Sequence, residues 1–164
     1  MKVSVIVNTY SNERYDDFCE AVGAVLEQTY DDIELILVVD GNEDVHARVV
    51  EDFGNIESVI THCTEENRGN SGARNAGAEL ATGDIIAVTD DDAVPEPDWI
   101  EELVRVYETT DAIAAGGPVV PDWFDGKPSY FPDEFLWLVG CNQPEFGEHM
   151  EEVRNTYGCN ISFK

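Results

Sequence analysis

The sequence predicts an α/β fold, a Rossmann-like, mostly parallel sheet with helices on both faces. Two observations carry this. Short apolar runs alternate with segments whose apolar residues recur every three or four positions, and three of the apolar runs stop abruptly at polar clusters. One helix after each strand implies parallel βαβ units, and such units place a ligand crevice beyond the carboxyl ends of the strands. A chain of 164 residues is long enough for one domain with a real core and too short for two.

The elements follow in order. Val3–Val7 is a buried strand, and Phe18, Cys19, Val22, Val25 and Leu26 keep helical spacing after it. Ile33–Val39 is the second strand, ended by Asp40-Gly41-Asn42. Val45, Val49, Val50 and Phe53 mark a helix, and Val59–Ile60 a third strand. Ser71–Ala81, rich in Ala, is the next helix, followed by a fourth strand at Ile85–Val88. Asp98 is the expected N-cap of a helix through Trp99, Ile100, Leu103, Val104 and Tyr107. Ala112–Val120 is expected as a fifth strand. After Pro118 the pattern changes, with Pro121, Pro128, Pro132 and Pro144 punctuating an aromatic-rich stretch. There, Phe135–Val139 reads as a helical turn or two and Tyr157–Phe163 as a strand.

Charge is the outlier of the composition. The chain has 35 acidic and nine basic residues, a formal net charge of -26, where small domains usually carry about 2–8 in magnitude. The acids are spread along the whole chain, which argues against a binding tail. Salt shortens the range of their repulsion from about 8 Å under physiological conditions to about 3 Å at 1 M. The surface therefore reads as that of a halophilic archaeal protein, the alternative being an ordinary acidic mesophile. Nucleic acid is not an expected partner, because phosphate contacts need Lys and Arg. Cys19, Cys63, Cys141 and Cys159 form no CxxC pair and have no zinc-like spacing with His46, His62 or His149, so they read as buried thiols. The chain shows no signal-peptide pattern and no apolar run near the roughly 18 residues of a spanning helix, so it carries no membrane segment. The expected location is the cytoplasm, with any membrane anchoring of a longer enzyme at the cytoplasmic face and outside this chain.

The chemistry-bearing residues fall at the predicted crevice. The first strand ends in Asn8-Thr9-Tyr10-Ser11-Asn12-Glu13, the second in Asp40, and the fourth in Asp90-Asp91-Asp92. Consecutive carboxylates repel one another, and a divalent cation best offsets that cost. Such a cation would bridge to a diphosphate, which a protein this acidic can hold only through a cation or locally focused positive groups. The same triplet also reads as a solvated acidic turn before the next helix. Asn67–Gly77 supplies a turn at Gly69 and Gly72, then a helix whose Ala73, Ala76, Gly77 and Ala81 allow close approach to the sheet. Arg74 reads either as a phosphate or nucleotide contact or as a structural ion pair. No GxGxxG follows the first strand and no GxxxxGK[ST] occurs, which rejects the two commonest nucleotide-binding loops of α/β folds.

Val5–Tyr10, Leu26–Tyr30 and Glu34–Gly41, then Asn67–Gly69 with Ala73–Gly77, then Thr89–Asp92 with Pro95 and Trp99, together resemble family 2 glycosyltransferases. The likeness covers residues 1–120 well and Tyr157–Phe163 more loosely. It implies a GT-A fold, a nucleoside-diphosphate sugar donor, a Mg²⁺ or Mn²⁺ ion, and usually inversion at the anomeric carbon; Asp40 fits a uracil partner, which favours a UDP-sugar and leaves guanine and thymine open. Carried over by position, Thr9, Tyr10 and Glu13 would line the nucleoside pocket and Asp40 would contact the base. Asp90 and Asp92 match the two acids of the DxD motif, with Asp90 near the ribose and Asp92 the more direct metal ligand. Asp91, the variable middle position, is expected at the donor site and exposed.

The resemblance divides the chain into a donor-binding part, 1–117, and the start of an acceptor-side part, 118–164, expected to be incomplete. The family's general base usually follows a segment like Gly158–Phe163, and no residue here matches its motif, so no catalytic residue is nominated. The chain is accordingly expected to be a natural truncation, an expressed piece or the ordered part of a longer enzyme, binding donor and metal but transferring sugar poorly. Lipid phosphates, glycans and proteins all stand as acceptor classes. Two other readings are a sugar-phosphate nucleotidyltransferase and a non-catalytic nucleotide-sugar-binding module. The first normally needs a Gly-rich basic loop after strand one, which Asn8–Glu13 lacks.

Overall fold

The structure is a computed structural model that describes residues 1–142 and 150–164; Pro144 and His149 lie outside them. The predicted alternation is present as β1 (Val3–Thr9), α1 (Tyr15–Leu26), β2 (Ile33–Val39), α2 (Glu43–Phe53), β3 (Val59–Cys63), α3 (Gly69–Leu80), β4 (Ile85–Asp90) and α4 (Trp99–Thr109). Two short strands, β5 (Ala114–Ala115) and β6 (Ile161–Phe163), complete a six-stranded sheet in the order β3-β2-β1-β4-β6-β5. β1 to β4 are mutually parallel where they pair, and β6 runs antiparallel to both β4 and β5.

Alternate residues of the central strands feed two cores, so the runs are apolar throughout rather than every second residue. Val3, Val5 and Val7 with Leu35, Leu37 and Val39 face a core shared with α1, α2 and α4, built around Phe18, Val22, Val45, Ile100 and Leu103. Ile6, Ile36, Val38 and Val88 face α3 through Ala73 and Ala76. α3 lies close to the sheet because its contact residues are small: a Cβ on Gly77 would come within 2.7 Å of Ile6 Cγ2. At the amino edge of the sheet, Glu34 is buried and accepts from Ser4 Oγ at 2.5 Å, Thr82 N at 2.6 Å and Lys2 Nζ at 2.5 Å.

Several expectations need correction. The fifth strand is two residues long, not Ala112–Val120, because Gly116 and Gly117 pack against Asn160 and Pro118 brings no N–H to a ladder. The Tyr157–Phe163 strand is confined to β6. Its earlier residues turn, with Asn160 N donating to Tyr157 O. Phe135–Val139 belongs to a 3-10 stretch, Asp133–Val139, closed by Gly140 at φ 75°. Asp98 does precede α4, but its side chain makes no capping bond. That helix start is held by Gln28, whose Oε1 accepts from Ile100 N at 3.0 Å while its Nε2 donates to Glu96 O at 2.7 Å. The cysteines are all free, yet only Cys141 is buried; Cys19 and Cys63 pack at the edge of the first core, and Cys159 is partly buried. β6 comes from the 118–164 part but lies in the sheet of the first part, tied by Tyr107 OH to Ser162 Oγ at 2.9 Å and by Trp99 Nε1 donating to Asn160 Oδ1 at 2.8 Å.

Candidate functional site

The strand register brings the three polar ends together. Thr9 stands beside Val39, and Asn8 beside Asp90, so Asp40 and the acidic triplet leave the sheet at one level on either side of β1. The acidity of the surface makes the buried acids informative. Among the described residues only Glu34, Asp40 and Asp91 are buried acids, and two of them are here.

Asp40 is 4% exposed. Its Oδ1 accepts from Thr64 Oγ1 and from Arg68 N, each at 2.9 Å, so it braces the loop that enters α3. Gly41 takes φ 67°, and a Cβ there would strike the backbone of Glu66 and Asn67, which keeps the β2 and β3 ends in contact. Tyr10 is well exposed at the rim, and its carbonyl accepts from Asn42 Nδ2 at 2.9 Å. Glu13 is exposed in the 3-10 turn Asn12–Arg14, whose cap is Ser11.

The triplet is not three equivalent acids. Asp91, expected to be exposed, is 8% exposed, because the chain turns after β4 and sends this carboxylate inward toward β1. There Thr9 Oγ1, itself buried, donates to Asp91 Oδ2 at 2.9 Å. Thr9 thus shapes the site through Asp91. Burial raises the Asp91 pKa, against the hydrogen bond from Thr9 and the charge of Arg14. Asp92 faces outward with its side chain 53% exposed, and Asp90 is intermediate. Arg74 on α3 pairs with Asp90 and packs beside Gly158, where an added Cβ would stand 3.1 Å from Arg74 Nη1. Arg74 therefore is an ion-pair partner here and also faces the site. Burial, then the nearby Asp90, push the Cys159 thiol pKa up.

Nothing in the residue spacing points to Arg14. Its Nη2 pairs with Asp92 and lies 3.4 Å from Asp91 Oδ1. Burial works against its charge, but Asp91 and Asp92 outweigh that and raise its pKa. One signal was available: a cation at a helix N-terminus opposes the helix dipole and needs acidic neighbours. With Arg68 and Arg74 it makes three of the nine basic residues of the chain gathered at this edge, locally offsetting the acidic field.

The side chains suit a hard cation. Asp90 and Asp92 offer oxygen donors of the kind Mg²⁺ or Mn²⁺ takes. Asn8, which pairs with Asp90 across the strands, and Arg74, its ion-pair partner, have Oδ1 and Nε respectively buried without a hydrogen-bond partner among the described residues. No group of three or more His, Cys, Asp or Glu side chains among the described residues is arranged to hold a metal ion. A cleft of about 180 Å³ near Val25, Tyr30 and Ile33 lies at the opposite edge of the sheet, remote from these groups.

Comparison with known proteins shows the family and the fold. The profile of glycosyl transferase family 2 matches residues 4–162. The chain is 63% identical over its whole length to a glucosyl-dolichyl phosphate glucuronosyltransferase of Haloferax volcanii, spanning 53% of that protein. It is 36% identical to an uncharacterised glycosyltransferase of Nostoc, aligning over 93% of this chain and 45% of that one. The chain thus spans about half the length of these curated relatives. A mannosyltransferase of Pyrobaculum calidifontis, solved with GDP-Man and Mn²⁺, superposes over 99% of this chain and 44% of its own with a TM-score of 0.71 at 22% identity. S. aureus TarS 1-349 with UDP-GlcNAc superposes over 74% of this chain and 37% of its own, with a TM-score of 0.62 at 22% identity. Both show the shared GT-A fold. Among the described residues no helix is long and apolar enough to cross a membrane.

Proposed function

The chain belongs to glycosyl transferase family 2, and from that premise we propose that it is the donor-binding part of a metal-dependent, inverting glycosyltransferase. The observation that carries the reading is the meeting of Asp40, Asp90 and Asp92 at one sheet edge with Arg14, Arg68 and Arg74 around them. Asp90 and Asp92 would hold Mg²⁺ or Mn²⁺. When bound, that cation supplies positive charge to a departing diphosphate. Asp40 would contact the base through Oδ2, which shares the Arg68 N–H at 3.1 Å, and Tyr10 and Glu13 would form the rim of the nucleoside pocket. Asp91, held by Thr9 and Arg14, positions its two neighbours from the interior.

The relative of H. volcanii is named for glucuronosyl transfer to glucosyl-dolichyl phosphate. We carry both halves of that name to this protein: a UDP-linked uronic acid as donor and a lipid-phosphate-linked sugar as acceptor, at the cytoplasmic face of a membrane. An additional carboxylate on the donor sugar suits a site that concentrates arginines in an otherwise acidic molecule. The donor reading is tested by calorimetry of UDP, GDP and dTDP binding in molar KCl, with Mn²⁺ or with EDTA. Binding of UDP that needs Mn²⁺ and disappears in Asp92→Ala is expected. Metal-independent binding, or none by a chain shown to be folded, refutes it.

A further inference from the structure

Arg14 stands where a helix repels it. It immediately precedes α1, whose first turn carries the positive end of the helix dipole, and it stays because carboxylates surround it. Its Nη2 pairs with Asp92 and lies 3.4 Å from Asp91, and its Nε is 3.9 Å from Asp17. The contacts differ in kind. Asp91 is buried and fixed by Thr9, so it can anchor Arg14 but cannot turn outward to meet a ligand. Asp92 is half-exposed and has Arg14 as its ion-pair partner. The guanidinium thus occupies the same carboxylate that the donor-site reading assigns to a divalent cation.

We propose that Arg14 is a built-in counter-cation of the acidic triplet: it neutralises Asp92 while the site is empty of donor, and a divalent cation binds by displacing it. The inference rests on the donor-site reading in one respect, that Asp92 ligates the cation. Without a positive group, three successive carboxylates at a rigid strand end repel one another. With Arg14 present that repulsion is relieved, and cation entry becomes an exchange of one positive group for another. Asp91 keeps the arginine at hand after the exchange. The 3-10 turn holding Arg14 also holds Glu13 and follows Tyr10, so displacement of the guanidinium is felt first by the rim of the nucleoside pocket.

The test is Mn²⁺ binding without nucleotide, followed by electron paramagnetic resonance in about 2 M KCl, where screening within a few ångströms suppresses general charge effects. Wild type is compared with Arg14→Ala, Arg14→Lys, Asp92→Ala and the double variant Arg14→Ala/Asp92→Ala. Arg105→Ala, which removes an exposed arginine paired with Glu102 on α4, controls for the loss of one positive charge. The pair being displaced is partly exposed, so Arg14→Ala should bind Mn²⁺ about 2- to 5-fold more tightly. Arg14→Lys should stay within about twofold of wild type, Arg105→Ala should be unchanged, and the gain should vanish in the Asp92→Ala background. Unchanged or weaker binding by Arg14→Ala overturns the proposal, as does an equal gain in Arg105→Ala or a gain that survives Asp92→Ala. In those cases wild-type binding that is lost in Asp92→Ala leaves the donor-site reading standing. Binding by none of the chains overturns both. Circular dichroism checks folding, and Arg14→Gln replaces Arg14→Ala if the alanine variant does not fold.

Discussion

Acidification should remove a defined part of the stability through Glu34, far from the candidate site. Its carboxylate accepts from Ser4, Lys2 and Thr82 and is buried. Burial alone raises its pKa, but the hydrogen bonds from Lys2, Ser4 and Thr82 win and lower it from 4.5 to about 2. A carboxylate with a lowered folded pKa stabilises the fold above its unfolded pKa, and that contribution is lost as pH falls from about 4.5 toward 2. At 1.36 kcal/mol per pKa unit, and discounting Lys2, which is itself more than a third exposed, the contribution is about 2–3 kcal/mol at neutral pH. Glu34→Gln keeps the shape and removes the titration. The difference in urea unfolding free energy between wild type and this variant should therefore be about 2–3 kcal/mol at pH 7 and about half of that or less at pH 3. Taking the difference cancels the many other acids common to both chains. A difference that does not change between pH 7 and pH 3, or a variant as stable as wild type at pH 7, refutes the reasoning.

Three further outcomes are expected. Gly77→Val should destabilise the protein by about 1–3 kcal/mol by overpacking α3 against Ile6, read as a lowered urea midpoint with an unchanged slope. Asn160→Ala removes the acceptor of the Trp99 indole and the donor to Pro118 O; hydrogen exchange should quicken at β5 and β6 and stay unchanged at β1 and β2, at a cost of about 1–3 kcal/mol. Raising KCl from about 0.1 to 2 M should raise the melting temperature, because the -26 charge is then screened within a few ångströms; a flat or falling melting temperature would contradict that account of the surface.

Much of this protein is legible in its sequence. The strands β1, β2 and β4 and the helices between them follow from periodicity, because fully buried parallel strands must be apolar on both faces and their helices on one. The motif positions also carried the membership in the glycosyltransferase family and the GT-A fold. They pointed as well to the carboxyl edge where Thr9, Asp40 and Asp90 meet, since parallel strands of similar length end together. Residue pairing across that edge was not legible, because it depends on which side chains a turn sends inward. Periodicity is silent about the turn after β4, so Asp91 was expected outside, and only the fold brings it under Thr9. Arg14 is 77 positions from Asp91 in the sequence, and no local rule pairs them; the pairing exists because β1 and β4 are neighbours. The bounds of the short β5 and β6 are not legible for the same reason. Two or three residues carry too little pattern to declare a strand, and these are strands only because Ser162 and its neighbours find β4 on one side and Ala115 on the other. Local chemistry determined the elements and the kind of residues at the site, whereas burial and charge pairing, which arise between distant segments, were decided by the tertiary structure alone.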